Sequence, residues 1–498
     1  MYFLGLDLGS SSVKACLLHA DTNVAVASAF SPPTEMPIDA PQPGFAEQHP
    51  DQWWHHTVLA VRAVLATANV APADVRAIGI SYQMHGLVVT DTYLNVLRPA
   101  IIWCDSRAVP YGQRALEALG TARVLRHLLN SPGNFTAAKL AWVKEHQPDT
   151  YARVAHFMLP GDYLAARLTG EVRTTAPGLS EGILWDFLAE RPADFLLQYY
   201  GIDAALMPPL CPTFGPQGQL TAAAATQLGL VAGTPLTYRA GDQPNNALSL
   251  NVLEPGEVAA TAGTSGVVYG VSSAATYDVR SRVNTFLHVN HTAAAPRYGV
   301  LLCVNGTGSL YGWLRNTLFQ KQLDYEALNH LAAQAPVGAG GLVCLPFGNG
   351  AERVLENQQP GASFQGLDLT RHGLPQVVRA AQEGIVFALY YGMQVMAQLG
   401  VGLNTVRAGH ANMFLSPVFG QTFANITGAT LELYNTDGAA GAARGAGLGL
   451  GHYTNRHEAF GGLRVVQTLL PDPAAQPATQ EAYAHWLSKV PGPVNVPA

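Results

Sequence analysis

Charge is scarce in this chain: Asp, Glu, Lys and Arg make up 12% of its 498 residues, about half the usual share. The formal net charge is -6 and no block of basic residues stands out, which argues against nucleic acid or an anionic membrane as the main partner. Cysteine is almost as sparse. Cys16, Cys104, Cys211, Cys303 and Cys344 lie far apart without a C-x-x-C pair, so neither a zinc site nor a disulfide framework is indicated, and a reducing cytosol fits best. A long uninterrupted apolar run is also missing. The nearest approach, Gly384 to Gly400, contains Gln394 and Gln398 and reads as a buried helix rather than a membrane span. Met1-Tyr2-Phe3-Leu4-Gly5 has no basic n-region and no small-residue cleavage site, so it predicts a first strand, not a signal peptide. His49, His55 and His56 cluster around a helix start without a ligand spacing on one face, and a metal site there is not expected.

What remains is a large and apolar chain, 48% hydrophobic with 50 glycines. Its length exceeds the size at which one hydrophobic core stops growing, so two domains are expected. Phe3 to Leu6 and Val13 to Leu18 flank the turn Gly9-Ser10-Ser11-Ser12, a hairpin signature. Ala259 to Ala262 and Val267 to Tyr269 flank Gly263-Thr264-Ser265-Gly266 in the same manner. His49-Pro50-Asp51 predicts the start of a helix whose core face is Trp54, Val58, Val61 and Leu65. Val75 to Ser81 and Leu87 to Thr90 predict strands, and Phe135 to His146 a helix. Pro235 to Asp242 predicts a strand, and the domain boundary is expected near residue 246. The second half predicts strands at Val300 to Val304 and Gly341 to Leu345 and a long helix from about Gln376 to Leu399. The segment Asp437 to Gly445, rich in Gly and Ala, suits close helix packing better than a flexible linker. Pro471 to Pro477 reads as a linker before a last helix with Tyr483, Trp486, Leu487 and Val490 on one face, and the final residues are expected to fray. Strands followed by helices indicate an α/β layered architecture.

Two hairpins of this kind suit a phosphotransferase, because phosphoryl transfer asks mainly for positioning and for donors to the phosphoryl oxygens. Gly9 permits a tight turn, Ser10, Ser11 and Ser12 aim amides and hydroxyls at phosphate, and Lys14 adds positive charge. Asp7 suits a water-mediated Mg²⁺ contact. The bland alternative for the first motif is a Ser-rich turn, and Gly263-Thr264-Ser265 alone is a common turn sequence. Asp242, at the end of a predicted strand, is the candidate general base, with a helix N-cap as the other reading. Gln83-Met84-His85-Gly86 follows a buried strand, where Met84 and His85 suit packing and hydrogen bonding to a polyol; the competing reading is a satisfied core histidine. Trp103 is suited to stacking on a sugar, and Asp105 and Arg107 to binding hydroxyls, unless they form a local ion pair.

Taken together these residues resemble the FGGY carbohydrate kinases. The resemblance runs from the first hairpin through Glu47-Gln48-His49-Pro50-Asp51-Gln52-Trp53-Trp54, Gln83 to Gly86, Leu97 to Trp103, Phe135 to Leu140 and Leu159-Pro160-Gly161-Asp162-Tyr163-Leu164. It implies two actin-like, ribonuclease-H-like domains flanking a cleft for ATP and sugar: residues 1–246 with the sugar site, first hairpin and catalytic Asp, residues 247–468 with the second hairpin and adenosine site, and residues 469–498 as linker and terminal helix. It further implies Asp242 as base, Asp7 as the metal-associated acid, Met84 and His85 as ketose contacts with Gln83 and Gln243 beside them, and Gly263, Thr264 and Ser265 as the second phosphate motif. Gly409 and Asn412 fall in the segment of the adenosine loop, where this chain reads Ala408-Gly409-His410-Ala411-Asn412. The expected acceptor is D-xylulose, with ribulose, gluconate, glycerol or another polyol, ketose or sugar acid as alternatives. ATP and Mg²⁺ are the expected cofactors, and a homodimer is compatible with exposed apolar faces. From another class, the fold also supports ATP-driven partner-binding proteins, which lack a sugar pocket. A transcriptional repressor is disfavoured by the absence of a helix-turn-helix pattern or basic patch.

Overall fold

The structure, a computed structural model, describes residues 1–491; the fraying expected of the last residues falls outside them. The chain forms two compact units. The first comprises Met1–Asn251, Phe286–Arg297 and Thr436–Leu463, and the second comprises Val252–Thr285, Tyr298–Asn435 and the residues from Arg464 onward.

In the first unit five strands lie side by side: β1 (Tyr2–Leu8), β2 (Val13–His19), β3 (Ala25–Ser31), β4 (Val75–Tyr82) and β5 (Leu236–Gly241), in the order β5-β4-β1-β2-β3. β1, β2 and β3 run antiparallel, while β4 and β5 join β1 in parallel. The near-continuous burial of β1, β4 and β5 is the mark of strands covered on both faces. One cover is the helix Pro50–Ala68, which His49 caps through its ring nitrogen; Trp54, Val61 and Leu65 are buried and Val58 is partly buried. The other cover is the Gly/Ala segment, which forms the helix Gly438–Gly449. Its packing is close enough to need glycine on both partners. A Cβ on Gly5 would lie 1.9 Å from the Ala439 carbonyl oxygen and one on Gly79 2.0 Å from that of Ala442, while on the helix a Cβ at Gly445 would meet the Tyr238 ring at 2.4 Å.

The second unit repeats the order. β6 (Val258–Ala262), β7 (Gly266–Ser272), β8 (Tyr298–Val304), β9 (Thr405–Gly409), β10 (Thr430–Tyr434) and β11 (Val465–Leu469) lie as β8-β7-β6-β9-β10-β11. Again the hairpin strands are antiparallel and two strands add in parallel. The long helix Leu374–Gln398 is buried over most of its circumference, and its Gly384 and Gly392 bring it against Cys344 and Leu302, where a Cβ would come within 2.1 and 2.2 Å. The helix Gln476–Leu487 buries Tyr483 and Trp486, the latter donating from Nε1 to the Cys344 carbonyl at 2.9 Å.

Several boundaries differ from the sequence reading by a residue or two. The strand expected from Gly341 begins at Val343, because Gly338, Gly340 and Gly341 all take positive φ, which no strand accommodates. The strand expected to reach Asp242 ends at Gly241, and Asp242 opens the helix Asp242–Ser249. Among the described residues no helix is long and apolar enough to cross a membrane.

Candidate functional site

β1, β4 and β5 are parallel, so their carboxyl ends lie on one edge of the sheet, the edge outside which α/β sheets bind ligands. Three of the segments singled out from sequence emerge there: Gly9 to Ser12, Gln83 to Gly86, and Asp242 with Gln243.

The first turn is closed by Gly9 N–H donating to the Ser12 carbonyl at 3.0 Å. The Ser10 carbonyl accepts from Gln48 Nε2 at 2.7 Å, and the Ser11 carbonyl from the Met36 N–H at 2.7 Å. Asp7 and Lys14 face one another across the ladder. The Asp7 carboxylate accepts from the Ser81 hydroxyl at 2.7 Å and abuts the start of the helix Gly438–Gly449, where a Cβ on Gly438 would come within 2.3 Å of it. Burial pushes the Asp7 carboxyl up, and the charge of Asp437 adds to the effect, against the Ser81 bond and Lys14. Lys14 lies 3.5 Å from Asp437, which also caps that helix at Ala440. Among the described residues no group of three or more His, Cys, Asp or Glu is arranged to hold a metal ion.

At the next strand end Gln83 is 2% exposed, yet neither atom of its amide has a hydrogen-bond partner. A buried, unsatisfied amide costs about 1–3 kcal/mol, a cost that a hydroxyl-bearing ligand would relieve. Met84 is buried beside it. His85 takes φ +62°, an uncommon conformation for a residue with a Cβ. It is held there by Lys139 Nζ, which donates to the His85 carbonyl at 2.9 Å, by the Thr136 hydroxyl on the Gly86 carbonyl at 3.1 Å, and by a 2.9 Å contact between its Nδ1 and the Glu181 carbonyl. Because a carbonyl only accepts, Nδ1 carries the proton. The ring meets Phe135 edge-on at 4.8 Å.

Asp242 begins its helix, where the dipole favours a carboxylate. Burial nevertheless raises its carboxyl to about 7, with the Asp7 charge adding and hydrogen bonds from Gln243 opposing. That value suits proton acceptance near neutral pH.

The structure sets Trp103 and its neighbours apart. Half-buried Trp103 stands over the first hairpin, its Nε1 3.4 Å from the Ser10 hydroxyl. Asp105 is wholly buried and is fully engaged by Arg107 Nε and Nη2 and by the Ala46 N–H at 2.6 Å. Arg107 also pairs with Glu47 and lies 3.7 Å over the Phe45 ring centroid. Glu47 takes a further bond from Arg98. This network fixes the 44–47 loop from within.

In the second unit the parallel strands β6, β9 and β10 place the second turn and the 410–412 segment on one edge. Gly308 and Ser309 donate to the carbonyls of Gly263 and Thr264 at 2.9 and 3.0 Å. A Cβ on Gly263 would lie 3.6 Å from Asn412 Nδ2, so the Gly263–Ser265 turn and Asn412 are neighbours. Gly409 ends β9.

Sequence reasoning passed over Glu181, Lys139 and Asp437. Glu181 carried a signal, as the one charged residue between Leu179 and Trp185. Lys139 and Asp437 gain their places only from contacts distant in the chain.

Comparison with known proteins fits this geometry. Residues 2–249 match the N-terminal domain model, and residues 258–449 the C-terminal domain model, of the FGGY family of carbohydrate kinases. The chain is 31% identical to xylulose kinase of Escherichia coli (strain K12) over 447 residues, 89% of this chain and 88% of that protein. It is 29% identical to L-xylulose/3-keto-L-gulonate kinase of the same strain, covering 97% of this chain and 96% of the relative. Among solved structures, xylulose kinase from Rhodospirillum rubrum superposes with a TM-score of 0.84 at 26% identity, over 98% of each chain.

Proposed function

Because the chain belongs to the FGGY family of carbohydrate kinases, we propose that it transfers the γ-phosphoryl group of ATP to the terminal hydroxyl of D-xylulose, giving D-xylulose 5-phosphate and ADP. The observation that carries this reading is the shared carboxyl edge of β1, β4 and β5, which gathers a hydroxyl-rich turn, an unsatisfied buried amide and a carboxyl raised to about 7. Asp242 accepts the proton of the sugar hydroxyl as its oxygen bonds to phosphorus and the bond from phosphorus to the ADP oxygen breaks. A loose transition state asks for this proton late, so orientation outweighs basicity. Gln83, Met84, His85 and Gln243 contact the ketose and Trp103 shields it, while Asp105 and Arg107 support the loop beneath. Gly9, Ser10, Ser11, Ser12 and Lys14 serve the transferred phosphoryl group. In the second unit Gly263, Thr264 and Ser265 serve the phosphates of the nucleotide and Gly409 and Asn412 its adenosine.

Mg²⁺ fits the donor set at Asp7, a carboxylate that burial leaves short of compensation. With no third acidic or imidazole ligand grouped there among the described residues, phosphate oxygens and water would complete its shell. When bound it neutralises charge on the phosphates.

The similarity to L-xylulose/3-keto-L-gulonate kinase over 97% of the chain favours a second reading, the same chemistry on another ketose or a sugar acid. A coupled ADP-release assay over D-xylulose, L-xylulose, L-ribulose, glycerol and gluconate decides between them. The expected result is highest kcat/KM with D-xylulose. A preference for another acceptor transfers the reading to that sugar, and ADP release independent of every sugar ends it.

A further inference from the structure

Glu181 ends the short helix Ala176–Glu181 and is 2% exposed. Its position joins two segments that are far apart in the chain. Its carboxyl receives the backbone N–H of His85, and the Tyr82 hydroxyl lies against it. Its main-chain oxygen holds His85 Nδ1. On the other side it packs directly behind Gly241: a Cβ on that glycine would lie 2.3 Å from Glu181 Oε2 and 2.6 Å from Met84 Cγ. The residue after Gly241 is Asp242. Glu181 Oε1 is buried without a hydrogen-bond partner. The helix itself is pinned, since the Ser180 hydroxyl accepts from the Leu287 N–H at 3.0 Å and donates to the Pro177 carbonyl at 2.7 Å.

Resting on the reading that Asp242 is the base and Gln83 to His85 contact the ketose, we propose that Glu181 is a positioning residue that holds the Met84–His85 loop in register with Asp242. Two physical arguments support it. The left-handed backbone of His85 stores strain and persists only when surrounding contacts over-determine it; Glu181 supplies two of those contacts. An ionised carboxylate in this place would stand unpaired beside a second carboxylate, an arrangement that costs several kcal/mol. Burial first, and the Asp242 charge second, accordingly keep the proton on Glu181. The ionisable groups around it are Asp242, Tyr82, Asp162 and the His85 ring held on its carbonyl, and the buried cation of this region, Arg239, lies 3.2 Å from Asp162. Ionisation of Glu181, well above the ordinary carboxyl range, adds a charge facing Asp242 and releases the loop, so the sugar KM rises there.

Steady-state kinetics of the full-length protein with D-xylulose and ATP test this. Glu181→Ala is expected to lower kcat/KM for the sugar by about 10²-fold, the scale of a misplacement near 1 Å, with the KM for ATP changed by less than about twofold. Glu181→Gln, which keeps the size and hydrogen bonding of the neutral acid, is expected to rescue most of that loss at pH 7 and to abolish the rise in sugar KM at high pH. Wild-type sugar kinetics in Glu181→Ala, or an intact high-pH rise in Glu181→Gln, overturns the proposal; the Gln variant decides alone if the Ala variant does not fold. Asp242→Ala distinguishes the two levels. If it is inactive while Glu181→Ala is normal, Glu181 alone loses its role, whereas turnover by Asp242→Ala removes the reading on which the role rests.

Discussion

In the first unit the hairpin turn is flanked across the ladder by Asp7 and Lys14, whereas at the same register in the second unit stand Thr261 and Val267. Five strands follow the same order in both, three antiparallel strands extended by two parallel ones, with β11 added antiparallel in the second, and in both the parallel strands end on the edge that carries the turn. The difference lies in what the scaffold holds. The first unit gathers Asp7, Asp242, Glu181 and Asp437 around its strand ends; the second offers backbone groups, hydroxyls and an amide at Gly263, Thr264, Ser265 and Asn412. One topology therefore supports two kinds of work. Groups that titrate are suited to moving protons and holding cations, and neutral donors to holding phosphates whatever the pH.

The largest effect that would break this contrast comes from the carboxyl raised to about 7. Asp242→Ala should lower kcat by about 10²- to 10⁴-fold, the usual worth of a general base, while nucleotide affinity measured by calorimetry is retained. In the wild type kcat/KM for the sugar should rise with pH through about 7 as Asp242 loses its proton, and a rate independent of pH across that range would remove its role.

Next is the packing that builds the first unit's edge. Gly5→Val places side-chain atoms within 1.9 Å of the Ala439 main chain, where nothing flexible can yield, and should destabilise by about 3 kcal/mol in urea melts. Gly263→Ala meets only the end of Asn412 at 3.6 Å and should cost less than about 0.5 kcal/mol. Similar losses in both would erase the distinction between a glycine required by packing and one placed in a turn.

A smaller effect has the opposite sign. Because Asp242 binds its proton more tightly folded than unfolded, its ionisation opposes folding; the penalty is complete above about 7 and fades as pH falls toward the ordinary carboxyl range. Asp242→Asn should therefore raise the Tm at pH 8, by an amount that shrinks steadily toward pH 4. A Tm difference that does not vary with pH would show the group to be unperturbed. The smallest effect belongs to the second unit, where Thr264→Ala should raise the KM for ATP several-fold, about 1 kcal/mol for a lost hydrogen bond, without altering the pH profile. A shift of that profile would mean that the second unit also takes part in proton transfer.

Much of this was legible in sequence because it is local. The alternation around Gly9 and Gly263 gave both hairpins, Pro50 with His49 gave the helix start, and the spacing of small residues after Asp437 gave a packed helix where composition alone suggests a linker. Asp242 stands out in sequence from its place at the end of a predicted strand. What was not legible depends on distant partners. Asp105 and Arg107 read as sugar ligands or a local pair, and the pair forms; what the sequence does not carry is their further bonds to Ala46 and Glu47. Nothing near Lys139 in the chain announces that its ammonium group holds the His85 carbonyl. The segments Phe286–Arg297 and Thr436–Leu463 join the first unit across long stretches of chain, an affiliation that periodicity does not carry.

The sequence by itself determined the two glycine-hydroxyl turns, the strands that flank them and the residue types at their ends, because hairpins and buried strands follow from side-chain alternation and backbone freedom within a few residues. Tertiary structure alone decided which acids hold their protons. Asp242 and Glu181 are ordinary carboxylic acids in the unfolded chain; one carboxyl rises to about 7 and the other well above its usual range only when folding removes water and sets them side by side, since the cost of a charge depends on what surrounds it and not on its place in the chain.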